Sequence, residues 1–414
     1  MENNTDNKKP SFADDFKRRL KDIKTTRWIR FGIVAAIYIA WVIWMQSPVW
    51  LLALILLFDI YITGYIPFTW WKHSKSKATR SVMSWVDAIV YALILVYFVF
   101  NFVGQNYQIP SSSLEKTLLT GDYLWVNKVT YGPRVPMTPV HFPLVHNTLP
   151  ILNCDSYLDH PSVEYRRLKG LRSVESGDIV VFNFPAGDTV STKLENSAEY
   201  YEMLVKRYGW AEVNSNKAMF GDIKYRPVDR RTNFVKRVVG MPGERISIKG
   251  DTIYINGKKQ LVPENAQFLY FALMSRPLSE EQCHELGIAL ADVQMVPSNR
   301  PEFGYTVDAM PAGNKTGSYL YQLPMTQAMI DSLKADGQLV NYLRWDGSAQ
   351  EYYLFPQGIA DIEQWTLADY GGDEGLLIPQ KGMTVELTPR NWLLYQRCIR
   401  NYEGHSDAEF KNGK

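Results

Sequence analysis

Between Trp28 and Val103 the chain carries three long apolar runs, more than a soluble core takes up in so short a stretch. Trp28 to Met45 reads WIRFGIVAAIYIAWVIWM, Val49 to Trp71 reads VWLLALILLFDIYITGYIPFTWW, and Trp85 to Val103 reads WVDAIVYALILVYFVFNFV. At 1.5 Å per residue, segments of about 18 to 23 residues cross a hydrocarbon layer of about 30 Å. Trp and Tyr gather near their ends, where headgroups would lie. Transmembrane helices are therefore predicted at 28–45, 49–71 and 85–103. A cleaved signal peptide does not fit, because a second apolar run follows the first at once and no small-residue cleavage pattern separates them. Two acids accompany the runs. Asp87 lies near a span end, within reach of headgroups, and Asp59 is expected to face a neighbouring helix. Neither is assigned a catalytic role.

Flanking charge sets the orientation. Lys8, Lys9, Lys17, Arg18, Arg19, Lys21, Lys24 and Arg27 precede the first run, and Lys72, Lys75, Lys77 and Arg80 separate the second from the third. Only Gln46-Ser47-Pro48 lies between the first and second. The positive-inside rule puts the basic tail (1–27) and the loop 72–84 in the cytoplasm. Three crossings then leave residues 104–414 on the outer side, which in an inner-membrane protein is the periplasm.

The outer portion changes period. Asp122-Tyr-Leu-Trp-Val-Asn-Lys-Val alternates, Asp178-Ile-Val-Val-Phe-Asn-Phe-Pro follows a Ser176-Gly177 turn, and Arg245 to Gly257 holds two strands and two turns. No regular strand–helix alternation appears, which argues against a doubly wound sheet. The predicted fold is three transmembrane helices followed by a mainly β extracytoplasmic domain with α/β insertions at about 188–232 and 260–380. Helices are expected around Ser197–Tyr208, Ser279–Leu290, Thr326–Leu339 and 388–402, the last capped by Thr388 with Pro389 in its first turn.

A formal net charge of +2 over 414 residues argues against a nucleic-acid binder. Cys154, Cys283 and Cys398 lie far apart with no C-x-x-C pair. One disulfide is possible, but an odd count gives no support for a disulfide framework. No metal or cofactor motif is present. His284-Glu285 lacks the second histidine of H-E-x-x-H, and His141, His146 and His160 have no accompanying G-x-S-x-G elbow.

Two short stretches carry the chemistry. Ile109-Pro-Ser-Ser-Ser-Leu-Glu-Lys-Thr-Leu118 begins just beyond the third apolar run, and Phe234-Val-Lys-Arg-Val-Val-Gly-Met-Pro-Gly243 lies 123 residues on. A serine hydroxyl attacks a carbonyl only when a base removes its proton. A lysine serves as that base only when neutral, which costs roughly 4 to 5 kcal/mol near pH 7 from its reference pKa. Burial among apolar groups lowers that cost. Strand alternation puts Phe234, Lys236 and Val238 on one face, so Lys236 is expected between apolar neighbours and Arg237 on the opposite face, toward solvent or a salt bridge.

IPSSSLEKTLLTGDYLWVNKVTYG, SGDIVVFNFP and NFVKRVVGMPGERI, in that order behind membrane spans, resemble the nucleophile, second-strand and base segments of bacterial type I signal peptidases. The spans and insertions are similar to Bacteroidetes-type versions. The resemblance implies a membrane-bound serine endopeptidase that removes signal peptides from exported preproteins, with those peptides and the bilayer as partners and no cofactor. It places Ser113 as nucleophile, Lys236 as general base, Ser111 as hydroxyl donor to the oxyanion, and Arg237 as a structural neighbour of the base. Ser112, Leu114, Lys116 and Phe234 depart from the family's usual small residue, Met, Pro and Tyr, and none of these changes removes a catalytic atom. The family's later Gly-Asp-Asn-Arg motif, whose following serine holds the base lysine, has no counterpart here. Asn412-Gly413 is a hairpin signal without a return strand, so the last core strands are expected beyond Lys414. A catalytically silent, membrane-anchored β module that binds partners is the alternative.

Overall fold

The computed structural model describes residues 12–21, 23–46, 48–194, 201–250, 252–263, 265–345, 355 and 369–411. α1 (Phe12–Lys21) leads into α2 (Thr25–Met45), which stops where Gln46 turns left-handed. A 3-10 turn, α3 (Ala53–Phe58) and a π turn carry the chain to Thr63. α4 (Lys77–Phe98) begins with Ser76 Oγ accepting the Thr79 N–H and continues through a π turn to Val103. The segments Thr25–Met45 and Lys77–Val103 are long and apolar enough to cross a membrane, by length and composition.

The expected second span, 49–71, is not one helix of membrane length. Its apolar helix runs from Trp50 to Thr63 and ends at Gly64, whose φ is 59°. Asp59 supplies the physical reason. Its carboxylate accepts hydrogen bonds from Thr63 Oγ1 (2.6 Å), the Tyr65 N–H (2.6 Å) and the Ile66 N–H (2.9 Å). The acid thus pairs the loop N–H groups just past its own helix, while Arg19 of α1, the neighbouring helix, donates to the terminal carbonyls of Thr63 (2.9 Å) and Gly64 (3.2 Å). The short helix nonetheless retraces most of α2. Trp50 meets Trp41 (5.6 Å between ring centroids), while Phe58 meets Phe31 (5.4 Å) and Trp28 (6.2 Å). The C-terminal ends of the two long helices meet, with Phe98 and Phe102 against Trp41 (5.6 and 5.7 Å).

Short strands follow: β1 (Gly104–Gln108), β2 (Tyr123–Asn127), β3 (Ile179–Asn183), β4 (Thr189–Ser191), β5 (Ile223–Tyr225) and β6 (Asn233–Arg237). They form three two-stranded ribbons, β1–β2, β3–β6 and β4–β5. The chain divides into two compact units, one of residues 1–106, 125–173 and 182–234, the other of 107–124, 174–181 and 235–414. In the first, Met45, Phe102, Val135 and Leu168 form one core cluster. Helices α5 (Tyr201–Tyr208), α6 (Trp210–Ser215) and α7 (Lys217–Phe220) bury Leu204, Val213 and Phe220 in another. The start of the helix expected at Ser197 lies outside the described residues.

The second unit holds two sheets. β7 (Arg245–Lys249), β8 (Thr252–Ile255) and β9 (Lys258–Lys259) form a meander, and β7 also pairs with β14 (Asp369–Tyr370) and β15 (Leu376–Leu377). Between them lies an inserted module: β10 (Phe268–Met274), α8 (Glu280–Leu286), β11 (Gln294–Val296), α9 (Pro301–Ala309), β12 (Tyr319–Met325), α10 (Gln327–Ala335) and β13 (Leu339–Arg344). Its sheet is antiparallel, in the order β11-β12-β10-β13. Alternation gives β10 two apolar faces. Tyr270, Ala272 and Met274 pack with Ile330 and Leu333 of α10, while Leu273 and Phe271 pack with Phe303 and Val307 of α9. The insertion expected at 260–380 is thus a three-layer α/β module over 268–344, and residues 346–354 and 356–368 of that range lie outside the described residues. α11 (Pro389–Arg397) is capped by Thr388, whose hydroxyl accepts the Asn391 N–H. Cys154, Cys283 and Cys398 are free thiols.

Candidate active site

Ser113 lies in the loop that joins β1 to β2. Two backbone bonds close the base of the loop, Ile109 N–H to Asp122 O and Gly121 N–H to Ile109 O (both 2.9 Å). Above them the chain winds through a 3-10 turn at Ser112–Leu114, with Glu115 N–H donating to Ser112 O (2.8 Å) and Leu118 N–H to Leu114 O (2.8 Å). The winding leaves Ser113 exposed at the top of the turn. Ser111 precedes it in extended backbone (φ −146°, ψ 157°) and is also exposed.

Lys236 lies on β6. The strand's continuation is held by Val238 N–H to Asp178 O and Gly177 N–H to Val238 O (both 2.8 Å). Beyond it, the Met241-Pro242-Gly243-Glu244 turn is pinned by the Glu244 carboxylate on Met241 N–H (2.7 Å) and by Gly243 N–H on Ile378 O (2.8 Å). Gly243 has a φ of 89°, the left-handed region that glycine enters without strain.

The two sequence-predicted residues meet. Lys236 Nζ donates to Ser113 Oγ at 2.6 Å, across 123 residues of chain. Burial of the ammonium end pushes the Lys236 pKa below the ordinary lysine value. The burial expected from strand alternation is only partly met, however, because Lys236 as a whole is exposed. Arg237 goes neither to free solvent nor to an acid. Its guanidinium donates to Gly177 O (2.9 Å) and to Thr117 Oγ1 (3.4 Å), so the residue beside the lysine ties its strand to the loop that carries the serine.

Sequence reasoning missed two neighbours. Lys116, three residues after Ser113, has a φ of 66°, and its Nζ donates to Leu286 O at the end of α8 (2.8 Å). Glu115 has its Oε2 buried without a hydrogen-bond partner among the described residues. Nothing in the residue type of Lys116 signals left-handed backbone, and the 170-residue reach to Leu286 follows from tertiary packing alone. Two of the three histidines weighed as triad members are engaged elsewhere, His141 with Thr138 O (2.8 Å) and His146 with Arg231 O (3.2 Å).

Residues 82–286 match the family described as signal peptidase, peptidase S26. The chain is 24% identical over 190 residues to signal peptidase I of Bacillus amyloliquefaciens, which covers 46% of this chain and 56% of that protein. It is 27% identical over 174 residues to signal peptidase I of Haemophilus influenzae, covering 42% and 38%. Against signal peptidase I T of Bacillus subtilis the figures are 24% over 190 residues, 46% and 56%. The chain thus spans about half the length of the curated relatives it matches. No solved structure matches it significantly. The matched segment, residues 82–286, carries both Ser113 and Lys236 and is similar to the signal peptidase family, peptidase S26.

Proposed function

We propose that the protein is a membrane-bound serine endopeptidase that removes signal peptides from exported preproteins, with Ser113 as nucleophile and Lys236 as general base. The observation that carries this is the 2.6 Å approach of Lys236 Nζ to Ser113 Oγ. A neutral Lys236 takes the hydroxyl proton as Ser113 Oγ attacks the scissile carbonyl, and the resulting ammonium returns it to the departing amine. The ester left on Ser113 is then hydrolysed by a water that the same amine activates. Ser111 Oγ–H and the Ser113 N–H act as donors to the oxyanion, where a preorganised hydrogen bond is worth most.

Three crossings place the catalytic portion on the periplasmic side of the inner membrane, with the basic tail in the cytoplasm. The lysines and arginines of 8–27 and 72–80 support that orientation. So does the course of residues 50–63, which lead back from the Trp41 end of α2 to its Trp28 end before α4 sets out again.

The test is cleavage of a preprotein with small side chains at −1 and −3 by membranes containing the full-length protein. Ser113→Ala and Lys236→Ala should each abolish it, whereas Ser111→Ala should slow it by about 100- to 1000-fold, as loss of one oxyanion donor does. Wild-type turnover in the Lys236→Ala protein would sink the dyad and favour the silent partner-binding module.

A further inference from the structure

The stretch from Val135 to Cys154 is twenty residues long and contains no Asp, Glu, Lys or Arg. Desolvation pushes both of its histidines, His141 and His146, below the usual imidazole pKa, toward the neutral form. A solvent-facing ribbon of that length ordinarily carries charges of both signs.

Its geometry gives a reason for the difference. Residues 135–142 and 156–168 form an irregular antiparallel ribbon, held by Val135 N–H to Arg166 O, Val163 N–H to Met137 O, Leu158 N–H to Val140 O and Phe142 N–H to Ser156 O (2.8–3.0 Å). At its base Val135 packs with Met45 and Phe102, at the outer ends of α2 and α4. Further along, Tyr97 Oη donates to Pro139 O (2.8 Å) and the Tyr97 ring lies 4.8 Å from His141. Pro139, His141 and Pro143 share the wall of a cavity of about 1050 Å³ with Leu93 and Ile94. From Phe102 back to Leu93 is nine residues, about 13 Å of helix. The ribbon therefore leans along α4 toward the middle of the apolar helix. Its turn is bare: Ile151 is 90% and Leu152 71% exposed, with Leu144 and Phe142 exposed behind them.

We propose that the 135–168 ribbon is a membrane-dipping element, which settles its uncharged turn into the outer leaflet of the bilayer that α4 crosses. The proposal rests on the reading of α2 and α4 as membrane spans, and continuity with the α4 surface selects lipid as the occupant. Ile94 and Leu95, on the stretch of α4 beside the ribbon, are themselves exposed. The paired arms leave few backbone groups to desolvate, whereas irregular backbone at the turn keeps the element at interfacial depth. The Lys224–Asp155 ion pair (2.8 Å), next to the turn, fits the same depth, since a lysine stem reaches from apolar surface back to water. The ribbon would then act as a second foothold beside the helices and fix the height of its own unit above the lipid.

The experiment uses the full chain with Cys154, Cys283 and Cys398 replaced by Ser or Ala. Single cysteines at Ile151→Cys, Ile37→Cys and Asn314→Cys each carry an environment-sensitive fluorophore, in phosphatidylcholine/phosphatidylglycerol vesicles. Nitroxides high on the lipid acyl chain should quench the label at 151 about threefold more than the label at 314, as expected for a side chain held in the interface. Nitroxides near the chain ends should quench the label at 37. Quenching at 37 with none at 151 overturns the proposal and leaves the span intact. No quenching at 37 overturns the span and, with it, the proposal. Energy transfer between donor- and acceptor-labelled 151 proteins without lipid quenching would assign the turn to contact between copies and also overturn it.

Discussion

Lys116 offers the sharpest test of how the serine is held. Its backbone lies in the left-handed region (φ 66°), which costs an L-residue about 1–2 kcal/mol. Its ammonium recovers part of this through the 2.8 Å bond to Leu286 O, since a charged donor contributes about 1.5–3 kcal/mol and less when half-exposed. The two contributions separate by substitution. Lys116→Ala loses the bond and keeps the backbone cost. Lys116→Gly loses the bond and removes that cost, so it should be the more stable of the two by about 1 kcal/mol, the reverse of the usual Ala-over-Gly order. The assay is thermal unfolding of the purified protein. If the Ala variant equals or exceeds the Gly variant in stability, Lys116 is not held left-handed and the strut has no role.

Three further outcomes are expected. Cleavage should rise with pH and level off above the lowered Lys236 pKa, because only the neutral amine accepts the serine proton; an optimum on the acid side would exclude Lys236 as base. Leu323→Ala, at a fully buried position of the inserted module, should destabilise that module by about 2–5 kcal/mol, read as faster limited proteolysis within 268–344; an unchanged digestion rate would mean that the sheet is not packed as described. A reporter fused after Trp71 should be cytoplasmic and one fused after Asn106 periplasmic, and the opposite labelling would overturn the three-crossing topology.

The candidate site was legible because it is written in short local strings: a Pro-Ser-Ser-Ser run and a Lys-Arg strand with a Pro-Gly turn led directly to Ser113 and Lys236, which lie 2.6 Å apart. Caps were legible for the same reason, as at Thr388. The second apolar run folds as a helix shorter than the run itself, because hydropathy averages composition over a window and ignores where the backbone stops. Gly64 and Pro67 stood in the string, but only the folded chain reveals that Asp59 serves the N–H groups just before that proline. The apolar setting of Lys236 was overestimated because alternation tells which residues share a face and not what covers that face. The module was read as helical patches in a long insertion, since pairing of β10 with β13 joins residues some 70 positions apart and leaves no local trace.

The place of that module in the chain has a consequence for the order of assembly. Its first and last strands are neighbours, with Tyr270 opposite Arg344, so everything needed to close its sheet is made by residue 344. The host strand β7 is in the opposite position: Ile248 waits for Tyr370 and Ile246 for Leu376. During synthesis from the N-terminus the guest can complete its fold while its host still has an open edge. Shorter loops close at lower entropic cost, which favours the same sequence of events. A ribosome that stalls between residues 345 and 369 would therefore leave a finished module hanging from an unfinished sheet, and it is the bare edge of β7, rather than the larger insertion, that a chaperone would need to cover.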